Sequence, residues 1–191
     1  MLKGCLFENG SGVRISAELS DLTALHCTVR KILSVVVDYE MEDTDTSNLL
    51  VDFLEKIEQA YLGKELIMKS VVQHKDVVQY GFTCNWIELL MINSLLRSLS
   101  EYAVTDELDD INMQLLEYLC RKAISGIDKD NTTGIYQYIG KRFACLNIRY
   151  FIAHFSYPDV EFKGASDWDS LRRIRQYLSV YFENTKQHQD G

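Results

Sequence analysis

The sequence predicts an α+β protein: a small antiparallel sheet of two hairpins packed against a layer of five or six helices. Three observations carry that prediction. Two pairs of strand-like segments are each joined by a local turn, near residues 8–12 and 74–76. Segments of helical periodicity dominate the rest and gather later in the chain. One of them, Trp86 to Leu99, is apolar almost all the way round. A surface helix keeps a polar face, so this one belongs at the centre of a core or beneath a partner.

The first hairpin pairs residues 2–7 with 13–18, and Asn9-Gly10 supplies the positive φ of a tight turn. Val13, Ile15 and Ala17 alternate with Arg14, Ser16 and Glu18, which gives the second arm one apolar face. Ser20 is placed to cap a helix with Asp21 in its first turn, and Leu22, Leu25, Val29, Ile32 and Leu33 form its stripe. Val35 to Val37 fit an extension of this helix or a short strand equally well. Thr46 or Ser47 opens the next helix. Its face is Leu50, Phe53, Leu54, Ile57 and Tyr61, and Gly63 stands where a left-handed residue ends a helix.

In the second hairpin Leu66, Met68 and Val72 face Val78, Tyr80 and Phe82, with His74, Lys75 and Asp76 at the turn. The apolar helix starts at about Asn85. Thr105 then caps a helix with Asp106, Glu107, Asp109 and Asp110 at its start and Arg121 and Lys122 near its end. This order complements the helix dipole, worth ~0.3–1 kcal/mol per charge, and reads as a stability device rather than a metal site. Ile135, Ile139, Phe143 and Leu146 carry helical pattern through 134–155. Ser166 begins a last helix, with Asp169 at the capping-box position and Trp168, Leu171, Ile174, Leu178 and Tyr181 as its stripe. Residues 1–185 are expected to form one domain and 186–191 a frayed tail.

Composition narrows the function classes. Hydrophobic residues make up 47% and charged residues 25%, as in an ordinary globular protein, and Pro158 is the one proline. No apolar run reaches the ~20 residues of a membrane span, and the N-terminus lacks an apolar stretch of signal-peptide length. The five cysteines are odd in number and widely spaced, which predicts reduced thiols in the cytoplasm. The net charge of −8 argues against a nucleic-acid partner. Between Lys31 and Lys56 lie Asp38, Glu40, Glu42, Asp43, Asp45, Asp52 and Glu55, with no base among them. A solvated surface is the default for such a run, and a surface for a basic protein is the functional alternative.

Candidate chemistry is sparse. The loop from Asp128 through Asp130 and Thr132 to Gly134 fails as an EF-hand, because Thr133 and Ile139 occupy the Gly and Glu positions. No strand precedes it, so a phosphotransfer motif fails too, and a helix-to-helix turn is the better account. His26, His74, His154 and His188 form no metal spacing, and no metal or cofactor is expected. His154 sits among aromatics and could serve Cys145 as a base. Glu88, inside the apolar helix beside Trp86, must be paired, protonated or engaged with the helix N-terminus. Arg149 is a candidate partner for Glu88 or for an anion. Arg172, Arg173 and Arg175 form a basic patch on the last helix.

Several segments resemble one family of small, uncharacterised bacterial proteins, a domain of unknown function. They are Asn9-Gly10-Ser11-Gly12-Val13, Ala60-Tyr61-Leu62-Gly63 with Ile67, Trp86-Ile87-Glu88, and Gln137-Tyr138-Ile139 with Leu146-Asn147-Ile148. Their order and spacing agree over most of the chain, although a proline of the Trp-x-Glu step is missing here. The resemblance implies a bacterial cytosolic protein and no mechanism. It marks Trp86, Glu88, Tyr138 and Asn147 as family features, with Trp86, Tyr138 and Asn147 as binding candidates.

Three functions remain open on the sequence. The favoured one is a non-enzymatic binding or interaction protein, a homodimer, resting on the apolar helix and the lack of clustered catalytic residues. The second is an acidic immunity- or antitoxin-like inhibitor of a basic toxin. The third is a small enzyme using Glu88, Arg149 or His154.

Overall fold

The computed structural model describes residues 1–6, 12–72, 75–125, 135–143 and 147–155. Outside them lie the first hairpin turn, His74, the 128–134 loop, Cys145, Leu146, the expected last helix with its arginines, and the tail with His188.

The α+β expectation holds. Four antiparallel strands, β1 (Lys3–Leu6), β2 (Gly12–Ala17), β3 (Leu66–Val72) and β4 (Lys75–Asn85), form one sheet in the order β1-β2-β4-β3. The two hairpins are therefore joined side by side through β2 and β4, with Val13 opposite Cys84 and Ile15 opposite Phe82. These four side chains are buried, and so is Ala17. Ser16 is buried as well, against the alternation. Lys75 and Asp76, expected in a turn, instead pair with Val72 and Val71.

Five α-helices are present among the described residues: α1 (Leu19–Asp38), α2 (Asp45–Tyr61), α3 (Trp86–Leu99), α4 (Glu107–Ser125) and α5 (Ile148–His154). Three expected caps move. Glu18, not Ser20, precedes α1, and its carbonyl takes the first amides, those of Asp21 and Leu22. Thr44 caps α2 by accepting from the Ser47 amide at 3.3 Å, while Thr46 and Ser47 are buried inside the first turn. Asp106, not Thr105, caps α4: it accepts from the Asp109 amide at 3.0 Å, and Asp109 accepts from the Asp106 amide at 2.9 Å. An aspartate at the third helical position thus closes the reciprocal box that a glutamate usually closes.

Val35 to Val37 are helical. α1 then ends on Glu40 at φ 57°, with Met41 donating to the Val36 carbonyl and Glu40 to the Val37 carbonyl. α2 ends in the same way on Gly63 at φ 71°. Both are six-to-one helix ends that need a left-handed residue, and only the second has the glycine that adopts it without strain. The single long pattern expected over 134–155 is broken into a 3₁₀ turn, Tyr136–Tyr138, and α5. Gly140 at φ 75° lies between the two, and Asn147 restarts the helix by accepting from the Tyr150 amide.

α3 is central. Trp86 and every described residue from Glu88 to Leu99 except Arg97 is buried. α1, α2, α4 and β4 all pack against it. The cover comes from the chain itself. No helix among the described residues is long and apolar enough to cross a membrane.

Candidate functional site

The polar side chains gather in three buried or half-buried clusters around α1, α3 and α4. The first lies where β4 turns into α3. Asn85 accepts from the Glu88 amide at 2.8 Å, and the Glu88 carboxylate takes the Lys56 ammonium of α2. Glu88 is 5% exposed and Lys56 39%. Burial pushes the Glu88 carboxyl up, and Lys56 and the Asn85 backbone offset part of that rise. Burial pulls Lys56 down, and the Glu88 charge more than restores it. Cys84 is fully buried beside the pair. Burial, and then the Glu88 charge, push its thiol well above the ordinary value. A thiol held protonated in this way is no nucleophile at neutral pH.

The second cluster lies between α3 and α4. Asn93, Ser94, Arg97 and Ser98 form a narrow polar stripe that the apolar pattern of α3 conceals. Arg97 donates from Nε to Glu117 and from Nη1 to Asp110. Arg121 reaches the other Glu117 oxygen at 3.6 Å and the Ile139 carbonyl at 3.3 Å. A Cβ on Gly140 would stand 2.7 Å from the Glu117 carboxyl, so glycine lets this turn close over the ion pair. Ser98 donates to the Ser94 carbonyl and accepts from the Phe143 amide, both at 2.8 Å. Asn93 donates to the Leu89 carbonyl and to Cys120 Sγ, at 2.7 and 3.2 Å. Its Oδ1, like Ser94 Oγ, is buried without a hydrogen-bond partner among the described residues.

The third cluster joins α1 to the start of α4. Asp109 accepts from Thr28 Oγ1 and Lys31 Nζ, each at 2.7 Å, and Asn112 donates to Thr28 at 3.0 Å. Burial pushes the Asp109 carboxyl up, but the bonds from Lys31, the Asp106 amide and Thr28 outweigh it and hold the carboxyl below its usual range. The acids at the start of α4 therefore do more than complement a dipole, because Asp109 ties two helices together.

The expected catalytic candidates do not converge. Glu88 pairs with Lys56 and not with Arg149. Arg149 is exposed and lies over the Tyr39 ring at 5.4 Å. His154 is exposed too. It stacks on Tyr150 at 4.0 Å, and its Nδ1 lies 2.8 Å from the Tyr150 carbonyl oxygen. Both residues belong to α5, which meets α2 where Thr46 bonds the Ile152 carbonyl. Lys56 and its Glu88 lie about 15 Å farther along α2 by helical rise. Of the binding candidates, Trp86 and Tyr138 are buried, Lys141 sits over the Tyr138 ring, and Asn147 caps α5. No group of three or more metal-binding side chains occurs among the described residues.

Two surface features stand out. Asp38, Glu40, Glu42, Asp43, Asp45, Asp52 and Glu55 are all exposed, and of the two bases that bound the run, Lys56 is turned to Glu88 and Lys31 to Asp106 and Asp109. On α4, Leu108, Ile111 and Tyr118 are exposed, and Leu115 beside them is half-buried at the edge of the core. The sequence reading missed Arg97, Glu117 and Lys56. For Arg97 the one available signal was its place in the 93, 94, 97, 98 stripe.

A family model described as a domain of unknown function, DUF6904, matches residues 7–190. The chain belongs to this family. The match takes in the Glu88, Arg97 and Asp109 clusters and the outer face of α4. No curated protein and no solved structure matches the chain.

Proposed function

We propose that this DUF6904 chain is a non-enzymatic interaction protein that works as a homodimer. The observation that carries the reading is the outer face of α4. It presents Leu108, Ile111 and Tyr118 to solvent, while the opposite face of the same helix, with Met113, Leu116, Leu119 and Cys120, already closes the core. A soluble chain rarely leaves a row of large apolar side chains bare unless something covers it. The non-enzymatic part is supported by Glu88, Arg149 and His154, which hold separate partners in separate places. Light scattering at tens of micromolar tests the reading. It expects twice the 22.1 kDa mass of the chain, and a monomer at that concentration overturns it.

The acidic surface favours a second reading, in which the chain receives a basic protein. Its support is that the seven carboxylates are exposed while Lys56 is committed elsewhere. Salt-sensitive binding of oligolysine, lost in the Glu42→Lys/Asp43→Lys variant, is expected; binding that the variant retains removes this reading. The setting proposed for either function is the bacterial cytoplasm. The sequence resemblance supplies the source. Cys5, Cys27, Cys84 and Cys120 are free thiols, as a reducing compartment would keep them.

A further inference from the structure

We propose that two copies of this chain associate through the outer faces of their α4 helices, packed side by side and antiparallel. This inference rests on the oligomer reading above and names its surface and orientation.

Leu108, Ile111, Leu115 and Tyr118 are spaced three, four and three residues apart, which is the seam spacing of two packed helices. Leu115 touches the core at its edge, so the seam runs beside the core without belonging to it. The charges choose the occupant and its direction. Glu107, Gln114 and Arg121 follow one another at seven-residue intervals along one flank of the seam, and all three are exposed. Acids open the helix and bases close it.

Consider a two-fold axis crossing α4 level with residue 113. Leu108 of one copy then lies level with Tyr118 of the other, and Ile111 with Leu115. The four apolar positions make four layers with no position left over. Glu107 of each copy faces Arg121 of the other, and the two Gln114 side chains meet near the axis. A parallel pair would instead put the two Glu107–Gln114–Arg121 flanks on opposite sides of the seam, where they cannot pair with each other, and would align the two helix dipoles. Among the described residues Arg121 bonds through Nη2, and Nε and Nη1 are placed to donate across the interface. The surface is self-complementary in one orientation, as an isologous interface requires.

Two arms test this on the full-length chain. In the first, Ile111→Lys is expected to halve the light-scattering mass at an unchanged helical spectrum. In the second, Glu107→Cys and Arg121→Cys are each placed in a chain whose Cys5, Cys27 and Cys145 are changed to Ser, and the two proteins are mixed and mildly oxidised. A cross-linked heterodimer, absent when either variant is oxidised alone, is expected. A wild-type dimer that Ile111→Lys leaves intact, or whose cross-links form between like variants, overturns the α4 inference and spares the oligomer reading. A monomeric wild type overturns both. The cross-linking arm keeps its meaning even if Ile111→Lys fails to fold.

Discussion

Replacing Lys56 by methionine isolates the cost of the buried carboxylate. Glu88 is 5% exposed, and Lys56 is its charge partner. Breaking a fully buried ion pair costs about 3–5 kcal/mol, because the remaining charge is stranded. Lys56 is 39% exposed, so water screens the pair, and about 2–3 kcal/mol is the appropriate figure. The pH dependence identifies the cause. Burial already raises the Glu88 carboxyl, and without Lys56 it rises further. A carboxyl raised in the folded state favours folding below its unfolded pKa and loses that contribution as pH climbs through the folded pKa. The variant's deficit is therefore largest at neutral pH and shrinks on acidification, and adding Glu88→Gln removes this pH dependence. Urea unfolding of the three proteins across the acid-to-neutral range measures it. A deficit below ~0.5 kcal/mol, or one that does not vary with pH, refutes the reasoning.

Asp109→Ala removes the bond from the Asp106 amide and the buried carboxylate that joins Thr28 and Lys31 to α4, while Lys31 keeps Asp106 and Thr28 keeps the Ala24 carbonyl, and should cost about 1–3 kcal/mol in urea unfolding. Because the Asp109 carboxyl is held low, its stabilisation is present above the unfolded carboxyl pKa, and the gap between the wild type and Asp109→Asn closes as pH falls through the folded pKa. Gly140→Ala imposes a left-handed alanine and drives its Cβ onto Glu117, so a loss of at least ~2 kcal/mol is expected in the same assay. Glu40→Gly relieves a left-handed glutamate and should raise stability by about 0.5–1 kcal/mol, read as a higher Tm. Thiol labelling of the native protein at neutral pH should reach Cys5 and Cys27 but not Cys84 or Cys120, whose thiol burial pushes up to about 12. Labelling of Cys84 at the rate of Cys5 would contradict its burial.

Local signals in the chain were enough to place both hairpins, the helices as far as Ser125 and the centrality of Trp86–Leu99. Period-two and period-3.6 patterns survive folding wherever one face stays buried. The caps of α1, α2 and α4 were less legible, because Ser20, Thr46 and Thr105 each lie within two residues of an equally suitable or better-placed group. Position 140 was unreadable for a different reason: its positive φ breaks a pattern that Ile135, Ile139 and Phe143 otherwise carry without interruption. The polar clusters were the least legible. Lys56 meets Glu88, Arg97 meets Glu117 and Thr28 meets Asp109 only through the packing of separate helices, and no spacing within one segment encodes such a meeting.

α3 is enclosed by its own chain, and association is left to the outer face of α4. Amide exchange along Trp86–Leu99, measured at two protein concentrations spanning the monomer–dimer transition, tests this most directly. Protection near the global unfolding limit at both concentrations is predicted, in the wild type and in Ile111→Lys alike. Exchange as fast as a loop, or protection lost on dilution, would show that a partner covers α3 and would contradict the account.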